Sequence, residues 1–146
     1  MGSKPSADLT GVHVLIVEDD EDSRQLLATF LEYCGALVTM CHSTESALED
    51  LAEYRPHVII SDLALPGADG LQFMQWLRAR SASEGGDIPA IAITAHYEDF
   101  PVAGARGFTA YLRKPLQMDR LCRTIAALCG RDVADGTDPA RGAAAF

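Results

Sequence analysis

Two short, largely apolar runs in this chain each end abruptly in acid. Val58-Ile59-Ile60 leads through Ser61 to Asp62, and a Leu63-Ala64-Leu65-Pro66-Gly67 turn follows. Residues 12–17 lead in the same way to Glu18-Asp19-Asp20. A continuous apolar run of strand length, closed by turn residues, is the pattern of a strand buried on both faces. A buried strand that carries a carboxylate to its C-terminal tip places it where parallel α/β sheets bind ligands. If the two strands are neighbours, three or four carboxylates converge, and so much negative charge needs a cation to hold it together.

Apolar runs and amphipathic stretches alternate along the rest of the chain, which predicts a parallel sheet covered by helices. Strands are expected at 12–17, 37–40, 57–61, 90–94 and 108–112. Helices are expected at 22–34, with Leu26, Leu27, Phe30 and Leu31 inward, at 44–53 behind an N-cap at Ser43, at 71–80 with Leu71, Met74 and Leu77 inward, and at 118–129. Gly35 is placed to end the first helix. Trp76 falls off the inward face of its helix, where it is either harmless surface or an anchor for a partner. A crossover helix is needed between the last two strands, yet residues 96–107 contain Pro101, Gly104 and Gly107, so only a short or irregular fourth helix fits. Residues 1–10 read as a flexible N-terminal segment, 11–130 as one domain, and 131–146 as a flexible tail or linker.

Composition narrows the function. At 146 residues the chain has the length of one domain with a sizeable core. A net charge of −9 argues against direct nucleic-acid binding, and no stretch approaches the roughly 20 apolar residues of a membrane span. Residues 1–10 are polar and lack the apolar core of a signal peptide. Cys34, Cys41, Cys122 and Cys129 show no zinc spacing; Cys122 and Cys129, seven apart on an expected helix, are expected to pack as small apolar residues, and a reduced, cytoplasmic setting is expected. The acids after the first strand lack the alternating ligands and turn glycine of an EF-hand loop.

Four strand ends carry polar chemistry in order: Val17-Glu18-Asp19-Asp20, Ser61-Asp62-Leu63-Ala64-Leu65-Pro66-Gly67-Ala68-Asp69-Gly70, Ile93-Thr94-Ala95 and Tyr111-Leu112-Arg113-Lys114-Pro115. Over residues 12–129 this set closely resembles the receiver domain of two-component response regulators. The resemblance implies a flavodoxin-like, doubly wound five-stranded sheet of order 2-1-3-4-5. It implies that Asp62 accepts a phosphoryl group and that Asp19 and Asp62 bind Mg²⁺, with Mn²⁺ as the alternative ion. Glu18 then acts through a water, and the Ala64 carbonyl is a further ligand. Lys114 pairs with Asp62 and later with the phosphoryl oxygens, Thr94 and Tyr111 form the switch, and the Lys114–Pro115 bond is cis. Ala95, His96 and Pro115 lie near the site. Partners would be a histidine kinase or histidine phosphotransfer protein and an unknown downstream target. The protein would be a monomer or a phosphorylation-dependent dimer, a signalling module rather than an enzyme.

Two rival functions are weaker. A phosphate-independent docking module usually lacks one of the acids, the Thr or the Lys, and all are present here. A flavin protein of the same architecture needs a donor-rich phosphate loop, whereas Glu18-Asp19-Asp20 repels phosphate. Ala64 and His96, each two residues beyond a site residue, depart from the family pattern and predict a slowly lost phosphoryl group.

Overall fold

The structure, a computed structural model, describes residues 7–63, 70–95 and 107–131. Five strands, β1 (His13–Val17), β2 (Leu37–Cys41), β3 (Val58–Asp62), β4 (Ala90–Thr94) and β5 (Ala110–Arg113), form one sheet of order β2-β1-β3-β4-β5. Every pairing is parallel, as the alternating pattern requires. Helices α1 (Glu21–Tyr33), α2 (Thr44–Leu51), α3 (Gly70–Arg78) and α4 (Met118–Leu128) complete the described elements, with a 3-10 turn at Ala82–Glu84. The crossover expected around Pro101, together with Ala64 and His96, lies outside the described residues.

Side chains alternate across a strand, so an apolar run serves two cores at once. Val14, Ile16, Ile60, Ile91 and Ile93 pack with residues of α1 and α4 on one face. Leu15, Val17, Ile59, Ala90 and Ala92 pack with residues of α2 and α3 on the other. β2 is one of the two edge strands, and Leu37 and Met40 stand exposed there.

Local chemistry sets the helix ends. Asp20 caps α1 by accepting the Ser23 amide at 2.8 Å, and Ser43 caps α2 by accepting the Ser46 amide at 3.1 Å. Both satisfy a backbone donor that the first turn leaves orphaned. α1 ends with the Gly35 amide on Glu32 O and the Ala36 amide on Leu31 O. That pairing needs the left-handed backbone Gly35 adopts, φ +102°.

Three expectations are corrected. Leu26 is 60% exposed rather than core; Leu27, Ala28 and Leu31 form the buried stripe of α1, and Leu26 sits 100° off it. On α3, Phe73 joins Met74 and Leu77 in the core, while Leu71 is only partly buried. Trp76 is exposed, as its position on the helix predicts. Residues 7–10 were expected within a flexible lead-in, but Leu9 is fully buried, its amide donates to Cys34 O at 2.8 Å, and Ala7 O faces the Cys122 thiol. Two apolar side chains find a pocket between α1 and α4 that no local pattern announces. Cys122 does pack in the core, with Cys129 partly buried against the same cluster; Cys34 also lies in that core and Cys41 in the other. Burial pushes the Cys34 thiol up to about 12.

Candidate functional site

Asp62 is the last residue of β3 and is 6% exposed. The chain just beyond it is pinned: the Leu63 amide donates to Ile93 O at 3.1 Å, and the Gly70 amide returns to Leu63 O at 3.0 Å. α3 therefore starts against the backbone that carries Asp62. A Cβ at Gly70 would lie 2.6 Å from Asp62 O and 2.9 Å from Leu63 Cα, so only glycine permits this approach.

β1 and β3 are neighbours, with Val17 beside Ser61, so the residues that follow them, Glu18 and Asp62, come side by side. The Glu18 amide donates to Cys41 O at 3.0 Å, and its side chain turns inward to 1% exposure. Asp19 stays exposed. Glu18, Asp19 and Asp62 each offer an oxygen within 4.8 Å of the others. An all-oxygen, anionic donor set suits a hard cation such as Mg²⁺ rather than zinc or copper.

Lys114 supplies the opposing charge. It follows β5, its amide donates to Thr94 O at 2.8 Å, and the Lys114–Pro115 bond is cis. Its Nζ lies 2.9 Å from Asp62 Oδ2 and 3.0 Å from Glu18 Oε1. The pairing with Asp62 matches expectation; the pairing with Glu18 does not follow from the sequence. Burial pulls the Lys114 pKa down, but the hydrogen bonds and charges of Asp62 and Glu18 outweigh it and the net shift is upward. Glu18 is shifted up, first by burial and further by the Asp62 charge, against the Lys114 and Asp20 hydrogen bonds. A buried carboxylate that resists ionisation, as Glu18 does, is poised to gain from a bound cation.

Thr94 ends β4, is buried, and neighbours β3 through the Asp62–Ile93 register. Ala95 follows it, exposed. Tyr111 is buried on β5 and packs against Phe108, with ring centroids 5.6 Å apart. Arg24 was not singled out from the sequence. Its Nη1 donates to Glu18 O at 2.9 Å and Asp19 O at 3.3 Å. The exposed Leu26 lines a groove of about 240 Å³ with Pro115, Leu116 and Met118, floored in part by Glu18 and Lys114.

Comparison with known proteins agrees with this geometry. Residues 14–126 match the response regulator receiver domain family. An uncharacterised 14.6 kDa protein of Leptolyngbya boryana is 37% identical over 83% of this chain and 92% of its own. The response regulator MprA of Mycobacterium ulcerans is 34% identical over 82% of this chain, and the KDP operon transcriptional regulatory protein KdpE of Escherichia coli is 35% identical over 87%. The chain spans about half the length of these two regulators, 51% and 56%. Among solved structures, the receiver domain of the sensor histidine kinase PA1611 of Pseudomonas aeruginosa superposes with a TM-score of 0.76 at 27% identity, over 83% of this chain and 99% of that one. That structure holds a magnesium ion coordinated in its active-site cleft. CheY4 of Vibrio cholerae superposes with a TM-score of 0.74 at 28% identity, over 82% of this chain and 99% of that one. No helix among the described residues is long and apolar enough to cross a membrane. The converging acids, the lysine that faces them, the strand order that assembles them and the family match lead to one statement: this chain belongs to the response regulator receiver domain family.

Proposed function

We propose that this receiver is a phosphoacceptor in which Asp62 takes a phosphoryl group from a phosphohistidine donor. The supporting observation is the Asp62 carboxylate, buried at a strand tip, 2.9 Å from the Lys114 ammonium and grouped with the Glu18 and Asp19 carboxylates. An Asp62 oxygen attacks phosphorus, a P–O bond forms, the P–N bond breaks, and its electron pair leaves with the imidazole, which takes a proton from solvent. Such a transfer needs positioning and charge neutralisation more than acid–base work. Asp19 and Asp62, the Ala64 carbonyl and, through a water, Glu18 would hold Mg²⁺, which when bound neutralises charge on the phosphoryl oxygens. Lys114 turns from the carboxylates to the transferred group.

The product carries about −1.5 to −2 charge. Thr94 and Tyr111 answer that charge and alter the surface around β5. The groove lined by Leu26, Pro115 and Leu116 also reaches Glu18 and Lys114, the two partners of the site beside Asp62, and is where the donor rests. Ala64 offers no side-chain polar atom to orient an attacking water, so phospho-Asp62 is long-lived; Ala64→Asn should hasten its loss, and an unchanged rate would refute that point.

Intact mass after incubation with Mg²⁺ and acetyl phosphate tests the central proposal. One phosphoryl adduct is expected, absent in Asp62→Asn and absent with EDTA. Failure of the wild-type protein to form it would favour the phosphate-independent docking module instead.

A further inference from the structure

Of the three carboxylates, two are fixed by their own hydrogen bonds. Glu18 accepts from Lys114 Nζ and from the Asp20 amide at 3.2 Å, and Asp62 accepts from Lys114. Asp19 differs. It is exposed, and among the described residues its carboxylate makes no hydrogen bond or ion pair, so its position is set by its backbone alone. The contact that holds that backbone comes from one turn inside α1. Arg24 Nη1 spans the Glu18 and Asp19 carbonyl oxygens, at 2.9 and 3.3 Å, and so fixes two successive peptide planes of the β1–α1 turn. Asp20, next in the chain, is fixed independently as the cap of α1.

We infer that Arg24 is a positioning residue for the cation site: its guanidinium locks the Glu18–Asp19 backbone so that the unsupported Asp19 carboxylate faces Glu18 and Asp62. This rests on the phosphoacceptor proposal above and concerns the same site. The physical reason is entropic. A short exposed carboxylate on a free turn would sample many orientations, and binding an ion would have to select one. A planar guanidinium on two carbonyls removes that choice before the ion arrives.

The sign of the effect separates this role from simple electrostatics. Arg24 is a cation beside an anionic site, so as a mere charge it opposes Mg²⁺, and its removal would tighten binding. As a positioning residue it aids Mg²⁺, and its removal weakens binding. Residues that orient metal ligands through hydrogen bonds typically contribute about 10–100-fold in affinity.

Mg²⁺ titration by isothermal calorimetry of the wild-type protein, Arg24→Gln and Arg24→Lys decides it, with melts in EDTA alongside. Arg24→Gln is expected to melt in EDTA close to the wild type yet bind Mg²⁺ about 10-fold more weakly. Arg24→Lys, which keeps the charge and several donors, should recover part of that loss. Binding by Arg24→Gln equal to or tighter than wild type overturns the inference and leaves the phosphoacceptor proposal standing. An Arg24→Gln protein unfolded in EDTA also overturns it, because Arg24 would then be a folding residue. No Mg²⁺ uptake by the wild-type protein would remove the phosphoacceptor proposal itself.

Discussion

The two ends of the sheet carry salt bridges of nearly equal length. At the C-terminal ends of the strands Lys114 meets Asp62 and Glu18 at 2.9 and 3.0 Å. At the N-terminal ends Arg55 meets Asp87 at 2.8 Å. Burial separates them. The Glu18 side chain is 1% exposed and that of Lys114 27%, against 48% for Arg55 and 63% for Asp87. A water-exposed pair contributes little because solvent already stabilises both ions. A buried set with more acid than base stays in place only if the fold forces it there. The surroundings follow suit. The N-terminal end closes with a ring stack and a hydrogen bond: His13 stacks on Tyr54, with ring centroids 4.7 Å apart and an interplanar angle of 3°, and His57 Nδ1 accepts the His13 amide at 2.9 Å. One end of the same sheet is settled; the other retains more acid than base. Distance alone would have ranked the two ion pairs together.

Removing the lysine should break the comparison most sharply. Lys114→Ala leaves Glu18 and Asp62 facing each other, which should slow phosphoryl uptake from acetyl phosphate on the order of 100-fold. It should also cost about 3 kcal/mol of stability without Mg²⁺, partly restored when Mg²⁺ is added; denaturant melts with and without the ion measure both. Crowding the backbone behind Asp62 comes next. Gly70→Ala must move Asp62 O or Leu63 Cα and should destabilise by about 1–3 kcal/mol, with phosphoryl uptake falling too.

At the settled end the effects shrink. Arg55→Ala should cost less than about 1 kcal/mol and leave phosphoryl uptake unchanged; a larger loss would mean that exposure does not separate the two bridges. Smallest is a pH effect at His13. Its pKa lies below the usual imidazole value, first through burial and then through the charge of His57. Below about pH 6.5 the unfolded chain takes up a proton that the folded chain still refuses. This contribution is therefore full above that pH and lost as pH falls toward the lower folded value. Melts between pH 8 and 5 should show a steeper acid-side decline for the wild-type protein than for His13→Gln.

Most of the sheet was legible because each strand advertises itself locally. Val58-Ile59-Ile60 and Ala90-Ile91-Ala92-Ile93 are apolar on both faces, and such a run has few alternatives to a strand between two helical layers. The caps at Ser43 and Gly35 are local too. The Asp62–Lys114 pair could be anticipated only through the resemblance, since 52 residues separate the partners. Arg24 was missed because its partners are backbone carbonyls, which leave no trace in side-chain identity. Leu26 was misassigned because a stripe of adjacent leucines does not say which edge of it turns to solvent.

By itself, then, the sequence determined the alternation of strands and helices, the helix caps and the acids at strand tips, all of which depend on neighbours a few residues apart. Only the tertiary structure decided that Lys114 bridges both Glu18 and Asp62, that Arg24 grips the turn between the acids, and that Leu9 is core. The Lys114–Glu18 contact joins residues 96 apart in the chain. It exists because the sheet places β1 beside β3 and β5 at the far edge, with Lys114, just beyond β5, reaching back over the strand tips. No periodicity encodes such a contact; it arises when the strand order brings distant ends of the chain to one point.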